Sequence, residues 1–83
     1  MRVTIKLYAT LTDYLPAGSS NNRVEIELAA GATVVTALAP FSLPPKLTHL
    51  VLVNGVFIPP QARASTIIQN GDTLAVWPPI AGG

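Results

Sequence analysis

The sequence predicts an α+β domain in which one main helix packs across one face of a mixed sheet of four to five strands. Two alternating strand patterns come first, a short helical pattern follows, and two or three further strand patterns complete the chain. We expect the first and last strands to form the central, parallel pair of the sheet. No repeat or linker divides the 83 residues, which are predicted to form a single domain.

The first two strands are predicted from strict alternation of apolar and polar residues over 2–8 and 23–28. The side chains expected to face the core are Val3, Ile5, Leu7, Val24, Ile26 and Leu28. The connection between them, residues 9–22, ends in a run rich in Pro, Gly, Ser and Asn, which is a strong turn signal. Leu11, Tyr14 and Leu15 are expected to hold this connection against the core. The sequence therefore predicts a hairpin with a long, flexible loop.

The main helix is predicted over Val34–Ala39, where Thr33 is placed to cap the free amides of the first turn. It is expected to stop at Pro40, because proline has no N–H to donate to a helical hydrogen bond. The side chains expected to form its buried stripe are Val34, Ala37 and Leu38.

The remaining strands are predicted from apolar runs that end at turn residues. Residues 49–53 form a buried strand that stops at Asn54-Gly55, a pair strongly favoured in tight hairpin turns. Residues 56–58 resume the strand pattern briefly. The last strand, 73–77, follows a turn at 70–72.

Composition excludes several classes of function. Only 11% of the residues are charged, against about 25% in ordinary soluble domains, which favours an apolar surface meant for a partner. The net charge is +1 and no basic stripe is present, so nucleic-acid binding is not expected. No apolar run approaches the length of a membrane span, no signal peptide is expected from the alternating N-terminal residues, and the sequence has no cysteine. A cytoplasmic protein is expected.

The residues that could carry catalysis are few. The chain has one histidine, His49, and four acidic residues, of which Glu25 and Glu27 are expected to form a solvated strand face. A lone histidine without companion ligands does not predict a metal site. We therefore expect no self-contained enzyme, no metal and no bound cofactor.

The C-terminal residues suggest a function in the tail. We predict a folded domain over 1–77 and an extended, flexible tail over 78–83, because Pro78-Pro79 cannot continue a sheet ladder. Gly82 and Gly83 have no side chains and fit a narrow channel in another protein. The six tail residues reach about 20 Å when extended. A frayed terminus without function explains the same composition.

A resemblance favours the functional interpretation. The segment 70–83, with Gly-Asp, an apolar strand, an aromatic residue, Pro-Pro and a final Gly-Gly, resembles the small subunit of molybdopterin synthase. It is similar, more distantly, to the sulfur carrier of thiamine synthesis. The resemblance covers nearly the whole chain and implies a ubiquitin-like β-grasp fold.

The resemblance also implies a mechanism. A ubiquitin-activating-type enzyme would use ATP to adenylate the carboxylate of Gly83, a sulfur donor would convert it to a thiocarboxylate, and the large synthase subunit would receive the sulfur. The residues implied in threading the tail into these partners are Pro78, Pro79, Ile80, Ala81 and Gly82. Catalytic groups are expected on the partners.

Alternative functions remain open at this point. The chain is also compatible with sulfur transfer for thiamine, cysteine or tRNA thiolation, with a ubiquitin-like protein modifier, and with a non-covalent interaction module. The partner surface is predicted at Trp77 and Phe57, since tryptophan is enriched among interface hot spots. The alternative for Trp77 is that it plugs the end of the core.

Overall fold

The computed structural model describes residues 1–79, and these contain five strands and one α-helix. The elements are β1 (Arg2–Leu7), β2 (Arg23–Glu27), α1 (Val34–Leu38), β3 (Leu50–Val53), β4 (Val56–Phe57) and β5 (Thr73–Trp77). Four short 3₁₀ helices lie in the connections, at Ala9–Tyr14, Ala39–Phe41, Pro45–Leu47 and Pro60–Ala62. Within this part of the chain no helix is long and apolar enough to cross a membrane.

The strands form one mixed sheet in the order β2-β1-β5-β3-β4. β1 and β5 run parallel, with Ile5 opposite Leu74, and every other neighbouring pair is antiparallel. The prediction that the first and last strands form the central parallel pair is confirmed. Because β5 occupies the middle of the sheet, the C-terminal segment leaves the domain from the sheet centre.

One face of the sheet carries the core, and α1 covers it. The helix is short but well defined, since the Thr33 hydroxyl accepts a hydrogen bond from the Thr36 amide at 3.2 Å. Its buried residues are the predicted Val34, Ala37 and Leu38. They pack with the alternate strand residues Val3, Ile5, Leu7, Val51, Leu74 and Val76.

The connection after β1 differs from the long, flexible loop predicted from its turn residues. Its first half is the 3₁₀ helix Ala9–Tyr14, and Leu11 in that helix is fully buried in the core. Burial of a single leucine stabilises the segment by about 2 kcal/mol. The prediction that Leu11, Tyr14 and Leu15 hold this connection against the core is confirmed. The 3₁₀ helix that presents them was not predicted.

Arg63 is the buried charged residue of the described part of the chain, with 9% of its surface exposed. Its guanidinium donates hydrogen bonds to the carbonyl oxygens of Ile58, Thr48 and His49 at 3.0–3.1 Å. Burial lowers the pKa of this guanidinium from its usual value. The side chain thereby fastens the segment after β4 to the segment that enters β3.

The turn between β3 and β4 is a left-handed pair, with φ of 51° at Asn54 and 84° at Gly55. The Asn54 side chain also ties this turn to β5. It donates to an Asp72 carboxylate oxygen at 2.8 Å and accepts from the Thr73 amide at 2.9 Å. Asparagine is suited to this site because it tolerates the left-handed backbone and supplies both hydrogen-bonding groups.

We expect Asn54→Ala to lower the free energy of unfolding by about 2 kcal/mol, from the left-handed strain and the two lost hydrogen bonds. Asn54→Gly keeps the backbone conformation and should cost less. Urea denaturation of the two variants measures the difference. An equal loss of unfolding free energy in the two variants would show that the left-handed backbone at position 54 imposes no strain on alanine.

Candidate interaction face and tail exit

The sheet face opposite α1 is uncovered in the described structure and is divided into an apolar and a charged part. Alternation along the strands places on it the residues that do not enter the core. The apolar part, called here the outer apolar face, consists of Tyr8, Leu50, Leu52, Phe57, Ala75 and Trp77. Cross-strand register brings them together, with Leu52 opposite both Phe57 and Ala75, and Leu50 opposite Trp77.

Trp77 lies on the outer apolar face and does not plug the core. Its strand neighbour Val76 is fully buried on the α1 side, so Trp77 points to the other side. Its indole ring stacks on Tyr8, with ring centroids 4.1 Å apart and planes inclined by 8°. Stacking leaves Trp77 half-buried, whereas Phe57 on the edge strand is 50% exposed. Contact of either residue with a partner stays a prediction.

Two members of the face, Leu50 and Leu52, were given the wrong environment in the sequence analysis. Leu50 and Leu52 were predicted to be buried, but both are half-buried and face away from α1. Alternation placed Tyr8 on the side of the first strand that faces away from the core, which is confirmed, but its stacking on Trp77 was not predicted. The uninterrupted apolar run at 50–53 was the available signal, since a strand that is apolar on both sides needs a cover on both sides.

The charged part of the same sheet face lies on β1 and β2. Arg2 donates to Glu27 at 3.0 Å and to Glu25 at 3.2 Å, and the hydrogen bond to Glu27 is the largest cause of its raised pKa. These exposed ion pairs contribute little to stability. Because the two signs neutralise each other locally, this part of the face offers a partner no strong net charge. The prediction of a solvated acidic strand face is confirmed.

The tail leaves the sheet beside the start of β3. The Trp77 carbonyl oxygen accepts a hydrogen bond from the His49 amide at 3.2 Å, which is the end of the β3–β5 pairing. Pro78 and Pro79 follow and offer no N–H groups to extend it. The outer apolar face therefore reaches to the base of the tail. The predicted site residue Gly83 lies outside the described residues, as do Ile80, Ala81 and Gly82.

The described residues hold no catalytic constellation. His49 is exposed, and within 1–79 no group of three His, Cys, Asp or Glu side chains is placed to bind a metal. Asp72 accepts hydrogen bonds from Asn54 and from the Gln69 amide, a structural role in the turns. The features that remain in this part of the chain are the outer apolar face and the end of β5 beside it.

This architecture, described over residues 1–79, is that of a ubiquitin-like β-grasp domain. The model of the ThiS family matches residues 5–83. The chain belongs to the ThiS family. The members of this family are small sulfur carriers or modifiers with a ubiquitin fold, and they are generally non-catalytic. No curated protein matches the chain significantly.

Solved structures support the same assignment. SAMP1, a small archaeal modifier protein of Haloferax volcanii, is 26% identical over the full length of both chains, with a TM-score of 0.72. A putative molybdopterin converting factor subunit 1 from Pyrococcus furiosus is 22% identical over 95% of this chain and 98% of its own, at a TM-score of 0.69. The complex of subunits 1 and 2 of the Helicobacter pylori molybdopterin-converting factor gives 15% identity, full coverage of both chains and a TM-score of 0.63. At these last two identities the likeness concerns the fold.

The stacked pair on the outer apolar face can be tested by fluorescence, because Trp77 is the single tryptophan of the chain. Tyr8→Ala should expose the indole, shift its emission to longer wavelength and cost about 1 kcal/mol of stability. Tyr8→Phe retains the stacked ring and serves as the control. Unchanged emission in the folded alanine variant would contradict the stacking.

Proposed function

We propose that the chain is a sulfur carrier that is activated at the carboxylate of Gly83, carries sulfur there as a thiocarboxylate, and donates it in molybdopterin synthesis as the small synthase subunit. The observation that carries the proposal is the ThiS family match, which runs through the tail to Gly83. The fold supplies the rest of the argument, since the domain has a docking face and no catalytic set of its own among residues 1–79.

The proposed chemistry needs little from this chain beyond the carboxylate. A terminal carboxylate has a reference pKa near 3.5 and is ionised at neutral pH. One of its oxygens attacks the α-phosphorus of ATP in the adenylating enzyme, and pyrophosphate leaves. Hydrosulfide, or a sulfur donor at the same oxidation level, then attacks the acyl carbon and AMP leaves, so that the carboxylate becomes a thiocarboxylate. As in covalent catalysis, the reaction proceeds through a covalent intermediate, but here the intermediate is on this chain and the catalytic groups are on its partners.

The geometry supports docking at one place and reaction at another. The outer apolar face ends at Trp77, and the segment from Pro78 to Gly83 spans about 20 Å when extended. A partner that covers Phe57 and Trp77 would thus receive the tail directly, while the domain stays outside its active site. Removal of the half-exposed aromatic and leucine side chains from water supplies the affinity.

The molybdopterin branch is favoured by the structural relatives and by the end of the sequence. One relative of known structure is a subunit of a molybdopterin-converting factor in complex with its second subunit, which supports a large synthase subunit as the partner of this chain. Trp77-Pro78-Pro79 before the tail agrees with the resemblance to that branch. Thiamine, cysteine or thiolated-tRNA synthesis uses the same carboxylate chemistry with another acceptor.

A second candidate function is protein modification. It is favoured by the similarity to SAMP1 from Haloferax volcanii, a modifier protein that the chain resembles over its full length. In this case the activated carbonyl of Gly83 forms an isopeptide bond with a lysine amine instead of accepting sulfur. A purely non-covalent interaction module would bind its partner through the outer apolar face, and the tail would have no role.

Intact mass distinguishes these functions. Incubation with the cognate adenylating enzyme, ATP and a sulfur source should raise the mass by the difference between sulfur and oxygen. Deletion of Gly83 should abolish the gain, because the carboxylate then ends one residue short of the activating site. A matched control adds one alanine after Gly83, which keeps the tail sequence but displaces the carboxylate.

The other outcomes identify the rivals. Adducts on cellular lysines that require Gly83 would favour the modifier, and loss of molybdoenzyme activity in a deletion strain would favour the molybdopterin branch. Thiamine auxotrophy of that strain would move the chain to the thiamine pathway. An unchanged mass with all components present would falsify the sulfur-carrier proposal.

The docking face has its own matched test on the edge strand β4. Phe57 belongs to the outer apolar face, whereas its neighbour Val56 pairs with Val53, which packs against the core side. Phe57→Glu should weaken binding to the adenylating enzyme or the large subunit about tenfold or more, the size of a hot-spot loss. Val56→Glu, on a site that is 63% exposed against 50% for Phe57, should leave the dissociation constant nearly unchanged. Isothermal titration calorimetry measures the dissociation constants of both variants. Equal changes in the two constants would show that the outer apolar face is not part of the interface.

A further inference from the structure

A second apolar feature lies on the opposite side of the molecule from the outer apolar face. A surface cavity of about 460 Å³ opens beside α1, with walls formed largely by apolar side chains. Its lining includes Val34, Val35, Leu38, Leu43 and Arg63. Nothing in the proposed sulfur chemistry or in the docking face accounts for this cavity.

Arg63 gives the cavity its single charge. Its side chain is nine-tenths buried, and all three of its nitrogens donate to backbone carbonyl oxygens. Those three bonds use three of the five guanidinium N–H groups, so two donors are left without a partner among residues 1–79. The carbonyl groups are neutral, and no carboxylate in that part of the chain pairs with the cation. A carboxylate bound at this position would supply the counter-charge that the buried cation lacks.

Three acidic side chains of the domain already have partners away from Arg63. Glu25 and Glu27 pair with Arg2, and Asp72 bonds the turn residues around it. The carboxylate at Gly83 is a further anion of the same molecule, provided that the chain ends there as the proposed function requires.

The cavity is close to the tail exit. Arg63 donates to the His49 carbonyl at 3.0 Å, and the His49 amide donates to the Trp77 carbonyl at 3.2 Å. Since the nitrogen and oxygen of one residue are at most about 3.6 Å apart, the guanidinium lies within about 10 Å of the last carbonyl of β5. The tail beyond Trp77 spans about 20 Å when extended, which leaves enough chain for a reversal. Gly82 permits that reversal because glycine adopts either sign of φ.

We propose that the cavity beside α1 is a binding site for the C-terminal segment of the same chain, residues 80–83, with the Gly83 carboxylate against Arg63 and Ile80 against the apolar wall. The inference rests on the proposed function for the terminal position of Gly83. The ligand class is a short apolar peptide that ends in a carboxylate, and the tail of this chain has that chemistry within reach of the site.

Docking of the tail has a functional consequence. A tail held in the cavity keeps its carboxylate away from solvent and from unrelated enzymes. A partner that binds the outer apolar face leaves the cavity side free, so the tail exchanges between the cavity and the partner's active site. The carrier is then available for activation in proportion to the fraction of molecules in which the tail is released.

The test compares the full chain with a chain that ends at Pro79, using methyl-labelled protein and NMR spectroscopy. Removal of residues 80–83 should shift the methyl signals of Val34, Val35, Leu38 and Leu43. The same comparison is made in Val35→Glu and Val35→Gln backgrounds. Val35 is 52% exposed on α1, so both substitutions are compatible with folding. The glutamate should repel the tail carboxylate and abolish the truncation-induced shifts, whereas the isosteric glutamine should retain most of them.

A titration adds a second readout. The carboxyl ¹³C signal of Gly83 should report a pKa below its usual value in the full chain, and a normal one after Val35→Glu, because the guanidinium stabilises the ionised form. Arg63 itself is left intact, since removal of its side chain would orphan three carbonyl groups and destabilise the fold.

Two results would overturn the inference. Truncation that moves only signals near Trp77 means that the tail does not enter the cavity. If the methyl signals of the truncated chain still change as the protein concentration is raised, a second copy of the chain occupies the cavity instead of the tail. Neither result touches the thiocarboxylate, which the intact mass measures independently, so failure of the cavity proposal and failure of the carrier proposal are distinguishable.

Discussion

The parallel pairing of β1 with β5 is the constraint on which the rest of the structure depends. It joins the two ends of the folded chain, with Leu7 opposite Val76 at the sheet centre. A parallel pair needs a long connection, and here that connection supplies β2, α1, β3 and β4. Because the last strand is central, its end is flanked by structure on both sides. The tail thus starts from a well-supported position, next to the widest apolar area of the sheet.

Much of this arrangement could be predicted from local sequence patterns. Alternation identified β1 and β2, Thr33 identified the start of α1, and Asn54-Gly55 identified the turn after β3. Each of these signals is produced by interactions between near neighbours in the chain. The segments 2–7 and 73–77 were also recognisable as strands from their own residues.

The features that could not be predicted depend on contacts between distant segments. Leu50 and Leu52 belong to the outer apolar face because β5 places Ala75 and Trp77 beside them, and an apolar run does not reveal which residue faces which side. Arg63 lies in a connector without periodicity, and its burial depends on carbonyl groups at residues 48, 49 and 58. In the connection after β1, the burial of Leu11 was predicted from its apolar character, whereas the 3₁₀ conformation of residues 9–14 was not. The predicted reactive residue, Gly83, came from the tail motif and from family resemblance.

The two edges of the sheet are poorly suited to pairing with a strand of another copy. β4 has only two residues and is followed within two positions by Pro59-Pro60, while the opposite edge, β2, carries Arg23, Glu25 and Glu27. Short, proline-terminated and charged edges are poor templates for addition of another strand. A protein with 11% charged residues has little repulsion to keep copies apart. The edges therefore oppose aggregation through strand pairing, which the low charge of the molecule does not prevent. They allow the sheet face to remain apolar without promoting fibril formation.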